Sequence, residues 1–238
     1  MIDVFSPDCL FPTDNNLEIP ELRSDMQAEF CEIPFVCFGE TARTYQMKGT
    51  GTLHFYTDDY RFNSLYDHPD KILRMDPSNI VEPNYSVFTD TPIAFGLQAI
   101  YRKRWIARMM QEHGIRVFVD LNVAPKYYQV NLYGVPQGWR SFCTRGSEDR
   151  MSQLDNEFNL AKMRRGGDDI LFVCYGGGEK CREWCQVHHA VYVNPLINYK
   201  NSIKQKKELY RQGVFFFQDD IPVKTVEKKQ VYDYADQL

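Results

Sequence analysis

The apolar positions of the chain fall into short runs at residues 34–38, 52–57, 79–82, 115–121, 141–144, 170–175 and 190–194, with one more at 214–217. Most are continuous rather than alternating, which is how strands buried on both faces read. Helical segments separate them. The clearest spans 92–113, where Thr91 suits the cap, Pro92 the first turn and Gly114 the stop; the next spans 148–165 and closes at Gly166-Gly167. Shorter helices are expected at 69–75, 179–187 and 203–211. Strands separated by helices imply parallel crossovers rather than a sandwich. The pattern therefore predicts an α/β fold of mostly parallel strands, barrel-like or an incomplete (β/α) barrel, with an open doubly wound sheet as the alternative.

Residues 1–32 are rich in Pro, Asp, Asn and Glu and read as an N-terminal arm or loop on the surface. A single α/β domain is expected over 33–220 and a C-terminal tail over 221–238. At 238 residues and 43% apolar, the chain is large enough for one substantial core. Its formal net charge of -4 gives no global field to attract a polyanion, so any nucleic-acid contact must be local. Basic clusters occur at 102–104, 162–165 and 200–207, and each also fits a solvated helix face. No apolar run approaches the roughly 18 residues of a membrane span, and no basic segment precedes an apolar one at the N-terminus. The expectation is a cytoplasmic protein without membrane contact.

Seven cysteines, at positions 9, 31, 37, 143, 174, 181 and 185, are too few and too scattered for a disulfide scaffold and read as reduced thiols. Cys181 and Cys185 with His188 and His189 invite a zinc reading, but their spacing matches no closed four-ligand pattern.

Candidate chemistry lies where apolar runs end in polar groups, the usual place for function in α/β proteins. One run leads to Asp58-Asp59-Tyr60-Arg61, another to Glu82-Pro83-Asn84, a third to Asp120-Leu121-Asn122, and others to Arg145-Gly146 and to Tyr175-Gly176. Asp58 and Asp59 would face opposite sides of a continued strand, so at most one joins a cluster with Glu82 and Asp120. Such a cluster is a candidate magnesium or manganese site, while Asp59-Tyr60-Arg61 also fits a hydrogen-bonded turn. On the 92–113 helix, Arg104 falls in the apolar stripe with Ile93, Leu97, Ile100 and Gln111. A guanidinium facing a core cannot shed its proton and requires an acid, a carbonyl or a bound anion. Tyr175-Gly176-Gly177-Gly178 opens a helix and offers amides to an anion, although its spacing matches no phosphate-loop fingerprint. Lys126, Tyr127, Tyr128 and Arg140 are the one loop region where aromatic and basic residues interleave.

In order, His54-Phe55, Asp58 to Phe62, Pro83-Asn84-Tyr85-Ser86, Tyr101 to Arg104 with Gln111 and Gly114, Gly134 to Gly138, Thr144-Arg145-Gly146 and Tyr175-Gly176 resemble the bacterial and phage family known as domain of unknown function 4417. The likeness covers about 35–193. It implies a phage, prophage or plasmid setting and an α/β domain, and brings no established activity. Where members carry Pro-Asp-Phe-Ser this chain has an amide, Asn84, which neither ionises nor takes up a proton at neutral pH.

The resulting expectation is a phage or mobile-element protein of DNA replication or maintenance, whose strand-end pocket binds nucleotide or nucleic acid. Asp58, Glu82 and Asp120 are the catalytic or metal-holding candidates. Arg61, Asn84, Arg104, Asn122, Arg145, Tyr175 and Gly176 are the substrate-binding ones. The alternatives are an enzyme or binder for a small anionic metabolite, and a non-catalytic interaction protein.

Overall fold

A computed structural model describes residues 10–40 and 47–195. The strand expected at 214–217, the helix at 203–211 and the tail at 221–238 lie outside these residues. Seven parallel strands follow one another in sequence order: β1 (Phe35–Cys37), β2 (Thr52–His54), β3 (Asn79–Val81), β4 (Arg116–Asp120), β5 (Ser141–Arg145), β6 (Leu171–Tyr175) and β7 (Val191–Val193). Each lies at one of the apolar runs. The order never reverses, so there is no switch point of the kind that defines a doubly wound sheet. The sheet instead curls into a nearly closed barrel, and the ring of Phe35 in β1 stacks on Tyr175 in β6, with centroids 5.7 Å apart.

Helices α1 (Asp70–Leu73), α2 (Ile93–Glu112), α3 (Tyr128–Asn131), α4 (Met151–Arg165) and α5 (Gly178–Val187) connect the strands. Pro92, not Thr91, caps α2, in an extended conformation. Thr91 Oγ1 instead accepts the Phe88 amide at 2.8 Å and closes the preceding turn. Gly96 on the first turns of α2 has to be glycine, since a Cβ there would lie 2.2 Å from the Tyr127 ring.

Two apolar layers result. The larger lies between helices and sheet and includes Leu53, Ile80, Trp105, Val117, Phe142 and Phe172. The smaller fills the barrel interior with Val81, Phe118, Cys143, Val173 and Val191. Alternation along each strand sends these two sets to opposite faces.

The segment that reads as a surface arm contributes buried Ile19, Leu22 and Ala28. Ala28 belongs to the interior cluster and its amide donates to Val117 O at 2.9 Å, beside a parallel bridge between Gln27 and Val117. Arg140 N donates to Gln27 Oε1 at 2.8 Å. All of these contacts fall near the N-terminal ends of the strands, so the arm closes the lower end of the barrel. Gln111 of α2 holds it: its Oε1 accepts Arg23 N at 2.8 Å, and its Nε2 donates to Arg23 O and Met26 O at 3.0 and 3.2 Å. The polarity of the arm in sequence reflects backbone docking through side-chain amides rather than solvent exposure.

Gln111→Leu keeps the volume but strands Arg23 N and Met26 O and leaves Arg23 O with only the Met26 amide, so it should cost about 2–4 kcal/mol. Urea denaturation will read the loss, and limited proteolysis should cut the variant first within 19–28. Unchanged stability would mean that the arm is not docked as described.

Candidate functional site

The strand ends meet at the upper mouth of the barrel. Registry places Asp120 beside Cys143, Arg145 beside Tyr175, and Tyr175 beside Val193. Asp120, Arg145 and Tyr175 each lie two positions beyond an interior residue (Phe118, Cys143 and Val173) and share its face.

Asp120 is fully buried and accepts four hydrogen bonds. Oδ1 receives Tyr56 Oη at 3.1 Å and the Asn122 amide at 3.3 Å. Oδ2 receives Asn84 Nδ2 at 3.0 Å and Lys103 Nζ at 3.1 Å. Asn84 also exchanges bonds with Asn122, donating through Nδ2 to the backbone carbonyl and accepting at Oδ1 from Asn122 Nδ2, both at 3.1 Å. A carboxylate at position 84 would confront that of Asp120 across 3.0 Å, whereas the amide donates.

Glu82 has the opposite parity to Val81 and turns toward α2. Its Oε1 lies 2.8 Å from Arg104 Nη1 and its Oε2 accepts the Asp120 amide at 3.1 Å. The Arg104–Glu82 pair is poorly aligned for a hydrogen bond, so its attraction is mainly Coulombic. Arg104 Nη2 donates to Asn131 O at 2.7 Å, and Asn131 Nδ2 donates to the Asp120 carbonyl at 3.0 Å. Lys103 Nζ reaches the same carbonyl at 2.8 Å and stands 3.9 Å from Glu82. Burial pushes the Glu82 carboxyl up and the Arg104 guanidinium down from their ordinary values, each toward neutrality, and their pairing opposes this. Two cations from α2 thus meet two anions from β3 and β4 with almost no exposure to water.

This geometry corrects several expectations. Glu82 and Arg104 lock helix to sheet behind the strands and do not line the mouth. Asp58 is exposed and takes no part in the network, because the chain leaves the extended path after β2 and forms a 3₁₀ turn at Asp59–Arg61. Asp59 instead accepts Ser86 N and Ser86 Oγ, both at 3.0 Å. Asp58, Glu82 and Asp120 therefore do not converge on one point. Among the described residues, no group of three or more His, Cys, Asp or Glu side chains is arranged to hold a metal.

Gly176 offers no free amide either, since its N–H donates to Val193 O at 2.9 Å. At the start of α5, Lys180 N donates to Glu148 Oε1 at 3.3 Å, so the chain's own carboxylate takes the anion position that the glycine turn provides. The interleaved loop comes apart as well. Tyr127 is core, and Arg140 pairs with Asp169 at the opposite end of the barrel from Lys126.

The mouth retains Asn84 at its edge, half-buried Asn122 and Tyr175, and exposed Arg61 and Arg145. Tyr175 lies at 5.5 Å and 20° from Tyr56 and at 4.2 Å from the His54 ring. Burial holds His54 down at about 3, with Arg145 adding to the effect, so its imidazole is neutral. Its Nδ1 accepts the Tyr56 amide at 3.3 Å. Burial pushes the Cys37 thiol up to about 11, and the charges of Arg61 and Arg145 oppose the rise. Arg61 lies over Gly39, just past the end of β1.

Lys103 and Tyr56 are central to the site but not singled out in the sequence. A run of three basic residues reads as a solvated face, and a tyrosine in an apolar run reads as core. Glu157 of α4 was also hidden. It accepts Thr144 Oγ1 at 2.6 Å and Gln153 Nε2 at 2.9 Å, and burial pushes it up to about 8.

The fold and site together define an α/β barrel plugged below, with a cationic and aromatic mouth above a buried charge network. A family model described as a domain of unknown function (DUF4417) matches residues 11–176, and the chain belongs to that family. It is similar to the Gene 1 protein of Mycobacterium phage L5, with 27% identity over 186 residues covering 75% of this chain and 80% of that protein. The Gene 1 protein of Mycobacterium phage D29 is 29% identical over 140 residues, covering 57% of this chain and 51% of the relative. No solved structure matches the chain significantly. No helix among the described residues is long and apolar enough to cross a membrane.

Arg104→Leu leaves Glu82 buried beside only a distant Lys103 and should cost about 3–5 kcal/mol in urea denaturation. Adding Glu82→Gln should recover a large part of this. Additive losses would show that the pair is not coupled.

Glu157 and His54 set opposite pH slopes. A carboxyl raised from 4.5 to about 8 on folding favours the folded state below pH 4.5, and that advantage is lost as pH rises through this window. A histidine lowered from 6.5 to about 3 contributes fully above pH 6.5, and its contribution is lost as pH falls. Stability should therefore decline by roughly 1–2 kcal/mol from pH 6.5 to 8. Glu157→Gln should flatten that limb in thermal melts, and an unaltered limb would assign the slope elsewhere.

Proposed function

We propose that the upper mouth of the barrel binds a nucleotide or the end of a nucleic-acid strand. In this reading the protein is a phage or mobile-element product acting in DNA replication or maintenance in the host cytoplasm. The observation that carries the reading is the registry of Arg145 with Tyr175 at adjacent strand ends, which sets a phosphate-pairing cation beside a partly open aromatic face. Arg61 adds a second cation near the end of β1. Half-buried Asn122, oriented by Asn84 through its Nδ2, offers a carboxamide oxygen suited to the edge of a base. Of the three carboxylates considered, only Asp120 belongs to this site. Its oxygens are already taken by four donors, so it orients Asn84 and Tyr56 rather than exchanging protons.

Because the net charge of -4 supplies no global field for a polyanion, a second reading is a binder or enzyme for a small anionic metabolite that is not a nucleotide, held by the local cations of the mouth. Thermal shift and calorimetry with dTMP, ATP, ribose 5-phosphate and inorganic phosphate will separate the two. The nucleotide reading expects stabilisation by dTMP or ATP well beyond that from ribose 5-phosphate, with Arg145→Ala and Tyr175→Leu each weakening binding about tenfold or more. Equal responses to all four anions would favour the second reading, and no response to any nucleotide would overturn the first.

A further inference from the structure

Beside the mouth, four large apolar side chains point into solvent: Tyr60 at 72% exposure, Phe88 at 64%, Ile93 at 57% and Phe95 at 66%. All sit on the segments that follow β2 and β3, at the same end of the barrel as Arg145 and Tyr175. Large exposed apolar groups concentrated at one end of a barrel mark a contact surface. Hydrogen bonds make these segments one platform. Asp59, next to Tyr60, binds Ser86 on the segment that carries Phe88. Thr91 holds the Phe88 amide through Oγ1. The Thr91 carbonyl accepts both Lys126 Nζ and Tyr127 Oη at 2.6 Å, joining the segment after β4.

Cations accompany the rings. The Arg61 guanidinium lies 5.7 Å from the Tyr60 ring centroid, and the Lys126 ammonium is tied to the turn bearing Phe88. Aromatic faces interleaved with cations suit a chain of stacked bases joined by phosphates. Asp58 and Asp90 are exposed on the same segments. The rim is therefore not a strongly positive surface, and stacking has to supply most of the affinity.

We propose that a single-stranded nucleic acid whose end or first nucleotide occupies the mouth continues across this rim, stacking bases on Tyr60, Phe88 and Phe95 and pairing phosphates with Arg61, Lys126 and Arg145. This inference rests on the nucleotide reading of the mouth and adds the class of ligand and its path. It also sets a salt dependence. With about three phosphate pairs, the logarithm of the association constant should fall against the logarithm of salt concentration with a slope of about -2.

Fluorescently labelled dT1, dT4 and dT8 titrated into the full chain test the path. Affinity should rise at least tenfold from dT1 to dT8. Phe88→Ala and Phe95→Ala should each remove about tenfold or more of the dT8 affinity while leaving dT1 binding and thermal melting unchanged. If dT1 binds but dT8 binds no tighter, or the phenylalanine variants bind dT8 as well as wild type, the track is wrong and the mouth reading survives. If neither binds, both fail. If the variants instead abolish a concentration-dependent self-association seen by sedimentation while dT8 binding stays flat, the rim is a protein interface and the proposal is overturned.

Discussion

The architecture depends on a neutral set of four buried charges, in which Lys103 and Arg104 of α2 meet Glu82 and Asp120 at the ends of adjacent strands. Removing ions from water is expensive, and a buried pair stabilises only when partners and hydrogen bonds are complete. Asp120 meets that condition, with four donors to its carboxylate and two to its carbonyl. The network fixes the longest helix against the centre of the sheet. It also fixes the height and direction of the Asp120 side chain, and through it the positions of Tyr56 and Asn84.

The two ends of the barrel are treated differently. Below, Gln111 and Arg116 hold backbone of the N-terminal segment and that segment's Gln27 side chain accepts the Arg140 amide, so polar groups close an opening that apolar side chains alone would leave unsatisfied. Above, the interior layer gives way to His54, Tyr56 and Tyr175, whose rings cover the apolar core while the exposed edge of Tyr175 meets solvent beside Arg145. The division follows the usual one for α/β barrels, with the lower end serving stability and the upper end available for binding.

The glycine turn after β6 shows how a favourable local motif is absorbed by its surroundings. A helix start attracts anions, and in this protein Glu148 supplies one. The amide–carboxylate contact between Asn84 and Asp120 is a second local choice with consequences for chemistry. It sets a donor against Asp120 where a second carboxylate would meet like-charge repulsion. The family match spans Asn84 and Asp120 but ends at residue 176, where the glycine turn begins.

Much of the fold was legible in the sequence because period and punctuation are local. Continuous apolar runs mark all seven strands of the described residues, Gly114 and Gly166 mark helix ends, and Arg104 in an apolar stripe calls for an acid, a carbonyl or a bound anion. Which acid it would be was not legible. That choice turned on a single step of strand parity, which sent Glu82 toward the helix and Asp120 toward the interior, and on a 3₁₀ turn that carried Asp58 away from both. The docking of residues 19–28, the burial of Lys103 and the exposure of Phe88 and Phe95 likewise depend on segments many residues apart meeting in register. Local pattern is enough to mark the elements and the groups that need neutralising. Which of those groups meet is left to the assembled barrel, because pairing depends on distances set by the closure of the whole sheet and not by any local period.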